Sequence, residues 1–232
     1  MIFDKPTLFG SLIKRYKRFL ADITLENGEI ITAHCANSGS MKTCAEPGWK
    51  VMVSDSQNPK RKLRYTWEMV HNGTCWIGIN TQIPNLLAYE ALQEGKIPEL
   101  AGYSKITKEQ KYSHNSRIDL LLEKESNKCF VEVKNVTLVE KNVFLFPDAV
   151  TERGLKHLGD LLAMKDAGQR AVMLYIIQRT DGKIFKPCVE IDPEYAHKLE
   201  QVYKQGVEIL PYVANVQPGQ ILISHKVAFS FK

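Results

Sequence analysis

Hydrophobic and polar positions alternate in twos through the first third of the chain. Phe19, Ala21, Ile23 and Leu25 fall against Leu20, Asp22, Thr24 and Glu26, and a second such run, residues 29–34, follows Asn27-Gly28. Asn-Gly between two alternating runs signals a hairpin, because both residues accept the positive φ that tight turns of the right twist require. Further short strands are predicted over residues 49–54, 62–70 and 75–80, separated by Pro47-Gly48, Asn58-Pro59 and Asn72-Gly73. Five short strands with regular turns predict a small barrel.

After Pro84 the period lengthens. Leu86, Leu87, Tyr89, Glu90, Ala91 and Leu92 read as a helix ended by Gly95, which puts a domain boundary near residue 82 and divides the chain into 1–82 and 83–232. Strands are predicted over 116–122 and 129–133, around a polar turn at 123–128, and then over 137–139 or 143–146. Asp148, after Pro147, reads as the N-cap of a helix reaching Ala167, with Leu155, Leu158, Leu161 and Leu162 as its apolar stripe and Gly168 as its stop. The unbroken apolar run 171–178 reads as a strand buried on both faces. The order from 84 to 178 is therefore α-β-β-β-α-β, and a helix at 193–205 with a strand at 207–211 completes an α/β sheet. The chain holds no internal repeat.

Composition narrows the function classes. With 232 residues, 44% hydrophobic and 25% charged, the chain suits one large or two small domains, and neither disorder nor a fibrous repeat. The net charge is +5, and its excess is uneven: residues 1–82 carry 11 basic and 7 acidic side chains, the remainder 20 and 19. The predicted barrel is thus the basic part, which permits a polyanionic partner. The five cysteines are odd in number, widely spaced and without a C-x-x-C pair, so neither a disulfide framework nor a zinc site is expected. Reduced thiols fit a cytoplasmic protein. The start of the chain lacks the apolar stretch of a signal peptide, and no run approaches the roughly 18 to 20 apolar residues that span a bilayer. A soluble chain without a membrane role is the expectation.

Candidate chemistry centres on Glu132 and Lys134, which share one face of a strand while Val131 and Val133 take the other. If Lys124 pairs with Asn127 across the polar turn, Asp119 falls opposite Glu132 on the same face, with side chains roughly 5 Å apart. A slip of one residue would send Asp119 to the other face. Two adjacent carboxylates repel unless they share a proton or a cation, and hard oxygen ligands with open positions suit Mg²⁺, or Mn²⁺ in its place. Glu90 on the first helix is a candidate third ligand. Lys134 would orient or deprotonate an attacking water and offset charge on phosphorus, which is phosphodiester hydrolysis. A lone E-x-K on a strand is ordinarily just solvated. The aspartate in the preceding strand and the α-β-β-β-α-β order lift this one above that reading.

Arg153 and His157 lie four apart near the start of a predicted helix, with Thr151 beside them, a face suited to phosphate or merely to water. Arg117 shares the face of Asp119 and would pair with it or with phosphate. The runs Lys14 to Phe19 and Lys60 to Tyr65 interleave bases with aromatics, so Arg15, Tyr16, Lys17, Arg18, Lys62 and Arg64 are candidate DNA contacts, with Phe19 assigned to the core. The loop carrying Asn37, Ser38 and Ser40 either offers backbone N–H groups to phosphate or is only a turn.

The aspartate, the E-x-K and the element order together resemble the PD-(D/E)xK nuclease core. The whole chain is also similar to the sugar fermentation stimulation protein family, DNA-binding proteins of bacteria and archaea. The likeness is carried by Arg15-Tyr16-Lys17-Arg18-Phe19, Asn37-Ser38-Gly39-Ser40-Met41, Ser116-Arg117-Ile118-Asp119, Glu132-Val133-Lys134-Asn135-Val136-Thr137-Leu138, and the stretch from Phe146 to Gly154. Ser38 stands where the family pattern has threonine, and Thr43 where it has glycine. The resemblance implies an α/β chain, α+β overall: an N-terminal OB-like β-barrel followed by a PD-(D/E)xK nuclease-like α/β domain with a central mixed sheet. It also implies non-sequence-specific DNA binding and a link to maltose use. The resulting expectation is a Mg²⁺-dependent nuclease on double-stranded DNA. Two other readings stay open: a non-catalytic DNA-binding regulator of maltose metabolism whose nuclease-like site is unused, and an RNA-binding or RNA-processing module.

Overall fold

The computed structural model describes residues 1–113 and 116–232. Its first third holds β1 (Thr7–Tyr16), β2 (Leu20–Leu25), β3 (Ile30–Cys35), β4 (Lys50–Asp55), β5 (Tyr65–His71) and β6 (Trp76–Gly78). The order β3-β2-β1-β4-β5 is closed by a parallel pairing of β3 with β5, so no edge is left open in the five-stranded barrel. The β2–β3 hairpin turns at Asn27-Gly28 as predicted, with Gly28 at φ +87°. The fifth barrel strand is β1, which the hydrophobic pattern did not reveal. The run expected at 75–80 is only the short β6, laid on β5. Leu12, Ile23, Ala33, Val53, Trp67 and Val70 fill the interior. Phe19 is a correction: it is not core but 48% exposed, and its ring stacks on His34 with centroids 6.5 Å apart.

The remainder holds α1 (Ile83–Gln93), β7 (Lys105–Ser113), β8 (Ser116–Lys124), β9 (Asn127–Val136), β10 (Leu138–Glu140), β11 (Val143–Phe146), α2 (Glu152–Asp166), β12 (Arg170–Ile177), β13 (Ile184–Pro187), α3 (Pro193–Lys204), β14 (Glu208–Gln217), β15 (Gln220–Lys226) and β16 (Ala228–Phe229). A mixed sheet runs β15-β14-β12-β9-β8-β7, with β12 parallel to both β9 and β14 and the outer pairings antiparallel. A smaller sheet, β10-β11-β13-β16, stands beside it.

The apolar run of β12 is explained by burial on both faces. Val172, Leu174 and Ile176 join Leu87 and Ala88 of α1, whereas Ala171, Met173, Tyr175 and Ile177 meet Leu158 and Leu161 of α2 and Leu199 of α3. Each fully buried Val, Leu, Ile or Met side chain among these contributes roughly 1.5–3 kcal/mol. The N-cap of α2 is Thr151, whose hydroxyl accepts from Gly154 N at 3.0 Å, and not Asp148 as expected. Asp192, the N-cap of α3, also accepts from Thr151 N at 2.9 Å, so one carboxylate fixes both helix starts.

The barrel is joined to the mixed sheet by apolar and polar contacts. Met52 and Met69 of the barrel belong to the same core as α1 and β12. Gly78 N donates to Gln178 O at 2.9 Å. Arg179, buried just beyond β12, donates to Thr43 Oγ1 at 3.0 Å and to Thr137 O at 2.5 Å, and pairs with Asp181, which accepts from Asn72 at 2.8 Å. The Thr43 hydroxyl is therefore a working part of this seam. All five cysteines are free. Among the described residues, no helix is long and apolar enough to cross a membrane.

Candidate active site

The β8–β9 hairpin has the register that the polar turn predicts. Lys124 faces Asn127, Glu123 faces Lys128, and the ladder continues to Leu120 opposite Val131. There the strands part, and Asp119 replaces a ladder acceptor with its own side chain: Oδ2 accepts from Val133 N at 2.7 Å. Its other oxygen accepts from Asn85 Nδ2 of α1 at 2.8 Å. Glu132 and Lys134 project from β9 toward α2. Lys134 Nζ donates to Glu132 Oε1 at 2.7 Å and lies 3.1 Å from His157 Nδ1, while that imidazole nitrogen is itself hydrogen-bonded to Glu132 Oε1. Arg153 Nε stands 3.3 Å from His157 Nε2.

The two carboxyls are driven apart in proton affinity. Asp119 is pushed up to about 6, first by burial and then by the charge of Glu132 beside it. Burial also opposes the charge on Glu132, which is only 3% exposed, but the hydrogen bond from His157 and the charge of Lys134 outweigh it and hold that carboxyl below the usual range. Ionisation is thus opposed at Asp119 and favoured at Glu132.

These groups form the floor of a cleft of about 570 Å³. One wall is the barrel: Arg18, Asn37, Ser38, Gly39 and Thr81. The other is the β11–α2 loop with the start of α2: Phe146, Pro147, Asp148, Ala149, Val150, Thr151, Arg153 and His157. The walls touch where Asp148 Oδ2 accepts from Met41 N at 3.3 Å and lies 3.5 Å from Ser40 Oγ. Gly39 leaves room for this contact, since a Cβ there would collide with the Asp148 carboxylate.

Of the residues singled out from the sequence, the cleft gathers Asp119, Glu132, Lys134, Arg18, Asn37, Ser38, Thr151, Arg153 and His157. Glu90 is a correction. It turns away from the cleft, and its carboxylate pairs with the Met1 amine at 2.6 Å, so the residue of α1 that faces Asp119 is Asn85. Arg15 is a clamp for the barrel wall, donating to the carbonyls of Asn37 at 2.8 Å, Gly39 at 3.0 Å and Ser40 at 3.3 Å. The loop N–H groups are largely spoken for, Gly39 N by Asn37 Oδ1 and Met41 N by Asp148. Tyr16 donates to Asp22, and Arg64 forms a bidentate pair with Asp55. Lys17, Lys62 and Arg117 are exposed outside the cleft lining. Asn85, Thr81, Asn135 and Asp148 were not singled out as site residues. Only Asp148, in Phe146-Pro147-Asp148, carried a local signal, and it was misread as a cap.

The donor set admits a divalent cation. Among the described residues, no group of three or more His, Cys, Asp or Glu is arranged to hold a metal. Mg²⁺, however, is commonly bound through one or two carboxylates with waters and substrate phosphate completing the shell. Asp119 and Glu132 are two hard oxygen donors whose mutual repulsion a cation would relieve.

Fold and site together define a class: an OB-like barrel joined to a mixed-sheet unit that carries a carboxylate pair and a lysine beside its first helix. Residues 13–79 match the SfsA N-terminal OB domain, and residues 82–220 match the Sugar fermentation stimulation protein RE domain. The chain belongs to the sugar fermentation stimulation protein family. A homologue of that name from Geotalea uraniireducens (strain Rf4) is 54% identical over 96% of this chain and 96% of its own. One from Geobacter sulfurreducens is 50% identical over 98% and 97%. The structure of Pyrococcus furiosus SfsA in complex with Ca²⁺ shares the fold, with a TM-score of 0.90 at 24% identity over 99% of this chain and 98% of that one.

Proposed function

We propose that this chain is a DNA-binding, non-sequence-specific phosphodiesterase that uses Mg²⁺ or Mn²⁺ bound by Asp119 and Glu132. The observation that carries the reading is the convergence of Lys134 and His157 on Glu132, with Asp119 beside it, on the floor of a cleft whose walls hold Arg18 and Arg153. When bound, the divalent ion supplies polarisation of a phosphoryl oxygen and an acidified water. Lys134 orients the water and offsets charge at phosphorus. Arg153 and the N–H groups at the start of α2 hold a neighbouring phosphate, and Arg18 holds the strand from the barrel side. The Ca²⁺ of the Pyrococcus furiosus relative supports a divalent site in this fold. We take the change from barrel to helix between Gly78 and Ile83 as a domain boundary near residue 82, and the free thiols as fitting a reducing cytoplasm.

The test is incubation of purified protein with DNA in Mg²⁺ or Mn²⁺ and in chelator. Cleavage in metal alone supports the proposal, and absence of cleavage on any DNA or RNA overturns it. A second reading, a regulator that binds DNA without cutting it, is favoured by one observation: Glu132 is already satisfied by Lys134 and His157. That reading predicts retained, salt-sensitive DNA binding with no cleavage. Competition by matched RNA separates DNA from RNA as the partner.

A further inference from the structure

The polymer this cleft accepts can be narrowed by its shape and by what stands at its mouth. Glu132 is 3% exposed, and the barrel loop and the β11–α2 loop meet through Asp148, so the carboxylates lie at the bottom of a walled hollow. A hollow of about 570 Å³ falls in the range that engulfs a small molecule of a few rings. A single strand brings one backbone and one unpaired base at a time to such a hollow, whereas a duplex must bring its paired second strand along.

The barrel carries an aromatic pair, Phe19 on His34, whose exposed phenylalanine is next in sequence to Arg18 of the cleft lining. Phe19 is 48% exposed, and its ring lies nearly parallel to that of His34, with an interplanar angle of 19°. This pair closes the same end of the barrel as the cleft wall: Phe19 O accepts from Cys35 N at 2.8 Å, and Arg15 ties the Arg18 carbonyl to the loop that begins at Asn37. Arg18, held at φ +63° in the turn before Phe19, lines the cleft itself. Opposite, Val150 is 73% exposed on the other lip. An aromatic face next to a cation is what single-strand binders use, because every base has a stackable face and every nucleotide a phosphate.

We infer that the polymer engaging this cleft is a single-stranded nucleic-acid segment, led in over Phe19 and His34 and past Arg18 to the carboxylates. The inference rests on the nucleic-acid reading above and revises the duplex expectation drawn from the sequence.

The test compares a fluorescent single-stranded oligonucleotide with a GC-clamped blunt duplex of the same sequence. Binding is followed by anisotropy in Ca²⁺ and cleavage in Mg²⁺ or Mn²⁺, with full-length wild type, Phe19→Ala and Phe19→Trp. The expected result is tighter binding of the single strand, weakened on the order of 10-fold by Phe19→Ala and restored by Phe19→Trp, with duplex binding unmoved by either. Duplex bound or cut as well as single strand, or single-strand affinity indifferent to Phe19, overturns the inference. The two readings fail separately. Phe19-dependent single-strand binding without cleavage keeps the inference and sinks the phosphodiesterase, while duplex cleavage does the reverse. No binding to either polymer removes both. Because Phe19 is exposed, its substitution leaves the barrel core intact, and a circular dichroism melt of each variant verifies this.

Discussion

Replacing Asp119 with asparagine removes a charge that the folded chain holds at a cost. The carboxyl is raised from its ordinary 3.8 to about 6 by burial and by Glu132. A carboxyl raised on folding is protonated preferentially by the folded chain, so the contribution of Asp119 to stability falls as pH climbs from about 4 to about 6 and then levels off. At about 1.4 kcal/mol per pKa unit, the rise corresponds to about 3 kcal/mol that the metal-free wild type lacks at neutral pH. The carboxamide introduced by Asp119→Asn never ionises, and it keeps both partners: its oxygen accepts from Val133 N, and its amide meets Asn85 once that side chain flips. Urea unfolding in chelator is therefore predicted to show near-equal stability at about pH 4 and a variant more stable by about 2–3 kcal/mol at about pH 8, with cleavage abolished. A variant no more stable than wild type at the higher pH would refute the view that the site stores charge repulsion for a cation to relieve.

Other expectations follow from the same geometry. Glu90→Gln should leave cleavage unchanged and cost at most about 1 kcal/mol of stability, since it loses only the pair with Met1; parallel rate and denaturation measurements check this. Arg18→Ala should lower DNA affinity and reduce the slope of log affinity against log salt by about one, whereas Arg64→Ala, whose guanidinium is paired with Asp55, should reduce it less; titrations over a salt series read both. Gly39→Ala should force Asp148 off Met41 N and destabilise the chain by about 1–3 kcal/mol, and adding Asp148→Ala should recover part of the loss in a double-mutant cycle. Thr43→Gly should cost about 1–2 kcal/mol by removing the Oγ1 that accepts from buried Arg179 and from Val139 N, measured by urea unfolding.

What the sequence disclosed follows from where its signals are local. The β8–β9 register was legible because a polar turn stands between two apolar runs, and a hairpin's register is set by its turn. The stops of α1 and α2 were legible because Gly95 and Gly168 take positive φ. β1 escaped notice because its last residues, Lys14 to Tyr16, look outward and read as a charged run. β7 escaped for a similar reason: it is an edge strand with exposed Lys105, Lys108, Gln110 and Lys111. The convergence of Asp119, Glu132 and Lys134 on one cleft was legible because one hairpin carries them all. Glu90 was misassigned and Asp148 misread because their partners, the Met1 amine and the loop after β3, are remote in sequence. Phe19 looked like core because alternation cannot tell the barrel interior from a stacking surface beside it.

The proposed chemistry stands or falls on Lys134 acting in phosphodiester cleavage from beside the carboxylate pair. The decisive experiment is the single-turnover cleavage rate of Lys134→Ala against wild type, in Mg²⁺ with saturating DNA so that binding is held constant. The expected result is a fall of roughly 10²–10⁴-fold with DNA affinity nearly unchanged. A Lys134→Ala protein that cuts as fast as wild type would contradict it.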